Sequence, residues 1–259
     1  MKNIAAIVGK EMRLYFNAPI VYVLTAVFLM ITDFLAYSQI VFYSNMATQM
    51  MRFQQDIPEM NVHQIVFRPT FMNMSIILLL MVPLLTMRLI SEEKKGRTLE
   101  LLLTSPVSII EIVLGKFLSA FSVYLILLAM TLHLPLMLSV FTTVPIKPLI
   151  SAYLGLAMMG GIFVAFGLFA STLSENQIVS AVTSFGILIG LWLMGGSNAG
   201  DGGVEAPITA VFNFMSLVSH LDNMVKGLIA TSDIGYFLSL TALGLFLSHR
   251  VIESTRWRG

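Results

Sequence analysis

Long apolar segments follow one another along nearly the whole chain, and they restrict the possible fold more than any other feature. A helix needs about 20 such residues to cross the roughly 30 Å hydrocarbon core of a bilayer. Hydrophobic residues make up 57% of the 259 residues and mean hydropathy is +0.86, which ordinary soluble domains do not reach. The sequence therefore predicts an all-α polytopic membrane protein that forms a single transmembrane domain over residues 1–259. We predict six transmembrane helices, at residues 19–43, 71–90, 112–141, 149–173, 178–194 and 234–247.

The segment 91–116, between the second and third predicted spans, holds the densest cluster of charge in a chain with only 11% charged residues. Ser91 could cap a helix, and the acidic residues after it suit a first turn, where the helix dipole favours negative charge. Gly96 is expected to relax the backbone, and a Ser-Pro pair ends the next helical turns because the residue before proline avoids the α region. Ser108 and Glu111 have the spacing of a capping box, which predicts a new helix.

Two interpretations of residues 91–111 are open, a solvated loop between two spans and a docking element for a soluble partner. The apolar run 101–103 lies between two charged clusters, and such a run is costly to leave in water unless a partner covers it. This pattern favours a cytoplasmic docking element with short helices. Its candidate contact residues are Glu92, Glu93, Lys94, Gly96, Arg97, Thr98, Glu100, Leu101, Leu102, Thr104, Ser105 and Pro106.

The same residues resemble a known family. The run EEKKGRTLELLLTSPV, followed by Leu114-Gly115-Lys116, is similar to the cytoplasmic coupling region of ABC-2-type ABC transporter permeases. That resemblance implies that a separate ABC ATP-binding subunit docks here, and that ATP and Mg²⁺ bind to that subunit and not to this chain. It also implies pairing with a second permease chain, identical or related.

Two polar segments are predicted on the external side. Residues 44–70 are expected to form a loop with short helical content. Residues 195–232 are expected to form a loop followed by re-entrant helices, because the stretch is apolar but too polar to cross lipid as a simple span. Residues 214–237 resemble the last external segment and final helix of the same family, especially of the branch that serves gliding motility or the maturation of a copper enzyme. An external accessory protein is included among the expected partners.

The N-terminal segment 1–17 predicts an amphipathic helix lying in the membrane interface. Glu11 falls at the edge of its apolar side. It could snorkel to the headgroups, or it could pair with a basic residue of the coupling region such as Lys94 or Arg97. The segment resembles the elbow helix of the same family, where an acidic residue occupies this place, so Glu11 and Arg13 are the candidate functional residues of this helix.

Three residues inside predicted spans are candidates for a dimer contact or a transport pathway. Asp33 is a carboxylate at membrane depth, a rare feature that usually faces a bundle interior or an aqueous cavity, although a satisfied structural role is equally open. Gly186 and Gly190 form a GxxxG motif, which permits close helix approach within one subunit or between two. The resemblance favours contact between two half-transporters, because the first and fifth spans line it in such permeases. His133, with no other metal ligand at suitable spacing, is expected to be structural.

The distribution of Lys and Arg predicts the orientation. With six spans, eleven of the fifteen basic residues lie on the side of the two termini and four on the other. We therefore expect a multi-pass protein of the bacterial cytoplasmic (inner) membrane, with both termini and the coupling region in the cytoplasm. The inner residues are Lys2, Lys10, Arg13, Arg88, Lys94, Lys95, Arg97, Lys116, Arg250, Arg256 and Arg258, and the outer ones are Arg52, Arg68, Lys147 and Lys226.

Missing motifs narrow the function. The absence of cysteine excludes disulfides and Cys-based metal sites, and the absence of a P-loop means that the chain cannot cradle ATP phosphates by that route. We predict no catalytic or metal-binding residue and no nucleic-acid partner. The predicted function is the permease subunit of an ATP-driven exporter, or of a system that transmits force across the membrane. The alternatives are a membrane scaffold and an ion-coupled carrier using Asp33, although we see none of the internal repeats that carriers normally show.

Overall fold

The computed structural model describes residues 2–52, 61–104, 106–193 and 215–256, and these form helices and short connections without a strand. In chain order the helices are α1 (Lys2–Asn17), α2 (Pro19–Arg52), α3 (Arg68–Thr86), α4 (Ser91–Lys95), α5 (Leu99–Thr104), α6 (Ile109–Met130), α7 (His133–Ser139), α8 (Ile146–Leu173), α9 (Gln177–Leu193), α10 (Leu217–Val225) and α11 (Thr231–Arg256). A π-helical turn, His63–Phe67, precedes α3. The predicted docking residue Ser105 and the part 195–214 of the predicted external segment lie outside the described residues.

Five of the predicted spans are confirmed by helical segments that are long and apolar enough to cross a membrane. They are Pro19–Met50, His63–Lys95, Ile109–Ser139, Ile146–Leu173 and Thr231–Thr255. The remaining candidate, α9, is apolar but has 17 described residues, about 25 Å at 1.5 Å per residue. It reaches only the lower end of the usual range for a membrane-crossing helix.

One predicted boundary is wrong, and one confirmed span contains a break. Helix α2 continues through the stretch that we predicted as the start of an external loop and ends at Arg52. Residues 44–52 contain no Gly or Pro, and six of these nine residues are Met, Ala, Gln or Arg, which favour helix. The third predicted span is not one continuous helix, since residues 131–132 separate α6 from α7.

Helix α8 lies at the centre of the bundle and packs against α3, α6, α9, α10 and α11. Its glycines permit close approach. A Cβ on Gly160 would lie 2.0 Å from Cε1 of the buried Tyr124 on α6, and one on Gly167 would lie 2.2 Å from Oγ1 of Thr86 on α3. Tyr124 also donates its hydroxyl hydrogen to the Leu156 carbonyl at 2.6 Å. Only glycine fits at these two contacts, so they fix how closely α3 and α6 approach α8.

Helices α2 and α9 lie at the periphery and expose apolar side chains. On α2, Met30 and Phe34 are 68% and 69% exposed, and on α9, Ile178 and Val182 are 72% and 64% exposed. Both helices contact α3, which lies between them. Each of these two faces is therefore free to contact lipid or another protein.

Helix α10 packs its apolar side against α8, with Leu217 and Leu221 buried. Its polar side is held by the start of α3, where Arg68 donates to both carboxylate oxygens of Asp222 at 2.8 and 3.1 Å. Lys226 pairs with the same carboxylate at 2.5 Å. Partial burial raises the pKa of Asp222, but the hydrogen bonds from Arg68 and Lys226 outweigh it and hold this pKa below its usual value.

Candidate coupling site

The helix that enters the predicted docking segment is broken at residues 87–90, between α3 and α4. Ser171 of α8 satisfies the backbone groups that the break frees. Its Oγ accepts from the backbone N–H groups of Ile90 and Ser91 at 2.9 and 3.1 Å and donates to the Met87 carbonyl at 3.1 Å. One hydroxyl therefore fixes the direction in which α4 leaves α3.

A tyrosine of α1 holds the same break from the opposite side. The backbone N–H of Leu89 bonds to the Thr86 carbonyl instead of that of Leu85, so the Leu85 carbonyl is left for another donor. Tyr15, 1% exposed, donates its hydroxyl hydrogen to that carbonyl at 2.9 Å. The Arg88 guanidinium lies 4.5 Å from the centre of the Tyr15 ring, within cation–π range.

A buried lysine joins three elements at the base of the docking segment. The Nζ of Lys116, on α6, lies 2.8 Å from Oε1 of Glu11 on α1 and 3.1 Å from Oε1 of Glu93 on α4. The Lys116 side chain is only 2% exposed. A second lysine, Lys10, reaches Glu93 at 3.5 Å from a mostly exposed position. Carboxylates on two sides make burial of the Lys116 ammonium tolerable.

Glu11 pairs with a basic residue at the end of the coupling run, Lys116, as the second interpretation predicted, but the two residues named as examples, Lys94 and Arg97, are not its partners. Glu11 lies in the middle of the buried side of α1, 7% exposed, and bonds to Lys116; it does not snorkel. Lys94 instead donates to the Thr172 carbonyl at 2.6 Å, because the carbonyl end of α8 attracts a cation, and Arg97 is exposed.

Of the two helix caps predicted within the segment, one is confirmed and one is wrong. The capping box at Ser108 and Glu111 is confirmed, and Asn3 of α1 donates to both Glu111 oxygens at 3.2 and 3.3 Å. The prediction that Ser91 caps α4 is wrong. Ser91 is the first residue of α4, the preceding residue makes no side-chain cap, and the Ser91 hydroxyl donates to the Met87 carbonyl.

The turn between α4 and α5 is a Schellman motif. The backbone N–H groups of Thr98 and Arg97 bond to the carbonyls of Glu93 and Lys94 at 3.0 and 3.1 Å. The left-handed residue is Arg97, with φ of 54°, whereas Gly96 has a φ of −79°. The prediction that glycine supplies the backbone freedom is therefore off by one residue.

The segment has a buried side and an outward side. Leu99 is 4% exposed and anchors α5 in the core, while Glu93 and Lys94 face the bundle and Leu102 is half-buried. Leu101 projects outward with 71% exposure. We name the outward side the coupling surface, and its residues are Glu92, Gly96, Arg97, Thr98, Glu100, Leu101, Thr104 and Pro106.

The other predicted candidates lie away from this surface. Arg13 is on the exposed side of α1. Asp33 lies in the span Pro19–Met50 and contacts His133. Gly186 and Gly190 lie on α9 where an added Cβ would meet no atom of the described chain within 4 Å, so no close intrasubunit contact accounts for this GxxxG motif.

Comparison with known families identifies the chain. The model of the ABC-2 family transporter protein matches residues 5–249, from the first turn of α1 to a point six residues before the end of the last span. The chain belongs to the ABC-2 transporter family. It is thus a multi-pass membrane transport subunit, a permease of the kind that works with an ABC ATP-binding subunit. Curated proteins give no significant sequence match.

As an ABC-2 permease, the chain is not expected to carry out catalysis itself. The described residues contain no group of three His, Cys, Asp or Glu that could hold a metal ion. Sequence reasoning missed three residues that hold the coupling segment, namely Tyr15, Lys116 and Ser171. Only Lys116 had a visible signal, since an ionisable residue at the start of a predicted span requires a partner. The hydroxyls of Tyr15 and Ser171 gave none.

Proposed function

We propose that this permease is the membrane subunit of an ATP-driven ABC-2 exporter, in which a separate ATP-binding subunit docks on the coupling surface. ATP and Mg²⁺ bind to that partner, and hydrolysis there drives the permease. The observation that carries this proposal is the buried contact of Lys116 with Glu11 and Glu93, because it joins the docking segment to the first helix and to a membrane span.

The connections around α4 provide a route for mechanical coupling. Ser171 and the Thr172 carbonyl tie α4 to α8, Lys116 ties it to α6, and Tyr15 ties the break before it to α1. A push on the coupling surface would therefore move the ends of these helices together, as in the rigid-body transitions that packed interfaces support. Substrate export or transmission of force to an external partner would use the same route.

A second permease chain completes the proposed transporter. The exposed apolar faces of α2 and α9, together with Gly186 and Gly190 on open surface, support pairing through these helices. In this proposal α9 is the sixth span and α1 is the elbow helix. Six spans place both termini in the cytoplasm, and the protein lies in the inner membrane of a bacterium. The likeness of residues 214–237 to the gliding-motility and copper-enzyme-maturation branch supports an external accessory partner beside a re-entrant segment.

Pull-down of the tagged permease in mild detergent, with an ATPase assay on the eluate, tests the first proposal. Leu101→Glu should weaken binding of the ATPase about 10- to 100-fold, because burying a leucine side chain contributes about 1.5–3 kcal/mol. Glu92→Lys should also weaken binding. The control Glu253→Lys changes a carboxylate on α11, outside the coupling surface, and should leave binding intact.

Each outcome bears on a specific part of the proposal. Normal ATPase recovery with Leu101→Glu would overturn the assignment of the coupling surface. If the unmodified permease brings down no ATPase under conditions that preserve other complexes, the scaffold or carrier alternatives replace the exporter.

Pairing of two copies is tested separately by crosslinking in membranes. Replacing Gly186 and Gly190 with Leu should reduce the crosslinked dimer while the subunit stays folded, since an added Cβ at either position meets no described atom within 4 Å. An unchanged dimer would exclude this face as the contact.

A further inference from the structure

Asp33 and His133 form a contact at membrane depth that the coupling mechanism does not use. Oδ1 of Asp33 lies 3.0 Å from Nε2 of His133. The two residues belong to the spans Pro19–Met50 and Ile109–Ser139. Their side chains are 45% and 47% exposed, so the pair is neither sealed in the core nor fully at the surface.

The hydrogen bonds of His133 determine how many protons the pair must hold. Nδ1 of His133 lies 2.7 Å from the Met130 carbonyl oxygen. A carbonyl can only accept, so Nδ1 must carry a hydrogen. In a neutral imidazole Nε2 would then present a lone pair to Asp33. An ionised carboxylate also only accepts, and two acceptors cannot bond at 3.0 Å. The contact therefore requires one additional proton, either on Nε2 or on the Asp33 carboxyl.

The charge balance at this depth points the same way. With the additional proton the pair carries no net charge, and without it the pair carries one negative charge that is half exposed to its surroundings. A net charge in the middle of a bilayer is strongly unfavourable, which favours the form with the additional proton.

No other described cation lies against this carboxylate. No hydrogen bond or ion pair joins Asp33 to any other ionisable group described on the surrounding elements. These groups are Arg68, paired with Asp222; His63, bonded to the Val225 carbonyl; Lys116, paired with Glu11; Arg88, on the Tyr15 ring; Glu111, in its capping box; Tyr37, one helical turn after Asp33; and Arg52, Lys147, Tyr22, Tyr43, Tyr124 and Tyr153.

We propose that Asp33 and His133 together form a one-proton binding site within the membrane-spanning region of this permease. The site lies on α2, the helix whose exposed face we assign to the second copy, and at the break that begins α7. It stands apart from the coupling surface, so its test does not depend on any ATPase.

Histidine nitrogen resonances, measured on ¹⁵N-labelled permease in lipid nanodiscs at about pH 7, test the proposal together with infrared spectroscopy. The chain has four histidines, and His133→Gln assigns the relevant signal. The expected result is either His133 with hydrogens on both nitrogens, or a protonated carboxylic acid band that disappears in Asp33→Asn. Neutral His133 beside an ionised Asp33 in the unmodified protein would overturn the proposal.

Two variants sharpen the test. In Asp33→Asn the side-chain amide can donate to Nε2, so the additional proton is no longer needed and His133 should become neutral, with its hydrogen on Nδ1. Doubly protonated His133 in this variant would show that its proton does not depend on Asp33 and would also overturn the proposal. His249→Gln, on the cytoplasmic part of α11, should remove its own resonance and leave that of His133 unchanged.

Discussion

Replacing Lys116 with Met tests whether the buried ionic contact holds the coupling segment in place. The substitution keeps much of the side-chain volume but leaves Glu11 and Glu93, at 10% and 13% side-chain exposure, without the ammonium between them. Removing one partner of a buried pair costs about 3–5 kcal/mol. The exposed Lys10 at 3.5 Å from Glu93 offsets little of this, because exposed pairs contribute about 1 kcal/mol or less.

Hydrogen–deuterium exchange measures the predicted loosening directly. The backbone amides of Lys94 and Gly96 bond within α4 to the carbonyls of Ile90 and Glu92, both at 2.9 Å. A loss of 3 kcal/mol should accelerate their exchange about 100-fold, since each 1.4 kcal/mol is a factor of ten. The control Lys226→Met removes a lysine at 44% side-chain exposure that is also paired with a carboxylate, and it should change exchange of α10 amides about fivefold at most.

Unchanged exchange at Lys94 and Gly96 in Lys116→Met would refute the argument, because α4 would then be held without the ionic contact. A uniform increase across all spans would also refute it, since the effect would then be general destabilisation and not release of the coupling segment.

Three further substitutions have expected effects on stability. Ser171→Ala should lower the free energy of unfolding by about 2 kcal/mol or more, because two backbone N–H groups at the break lose their acceptor. The midpoint of thermal unfolding should therefore fall. The control Ser254→Ala, at an exposed position, should leave this midpoint unchanged. Gly160→Ala should lower the free energy of unfolding by about 1–3 kcal/mol or more, since the new Cβ would overlap the ring of the buried Tyr124. The control Gly9→Ala has open space around the new Cβ and should raise the midpoint slightly, because alanine favours helix. Arg97→Gly should stabilise the α4–α5 turn by about 1 kcal/mol by relieving the left-handed backbone, seen as slower amide exchange there; faster exchange would contradict this account.

Sequence reasoning succeeded where the information is local. Five membrane spans follow from runs of apolar residues, and the capping box at Ser108 and Glu111 needs only a three-residue spacing. It failed where a contact joins distant parts of the chain. Glu11 and Lys116 are 105 residues apart, and the helical wheel of α1 alone placed Glu11 at an edge, because the partner that draws it inward lies on α6.

Errors of one or a few residues have a different origin. The left-handed position fell on Arg97 and not on Gly96 because the hydrogen bonds of the Schellman motif, and not the glycine, set where α4 ends. Ser91 could act as a cap only if its own backbone were non-helical, but Ser91 is already the first residue of α4. The assignment of Gly186 and Gly190 to a contact between copies stays a prediction from sequence, supported by the open space around them.

The hydroxyl of Ser171 has a consequence for how the coupling segment can move. A hydroxyl offers one hydrogen and two lone pairs, and here the Met87 carbonyl and the N–H groups of Ile90 and Ser91 take all three. Rotation of α4 against α8 cannot exchange these bonds one at a time, because no spare donor or acceptor remains on that oxygen. The segment should therefore occupy a few discrete orientations and switch between them in single steps, so that its displacement is not graded with the force applied to it.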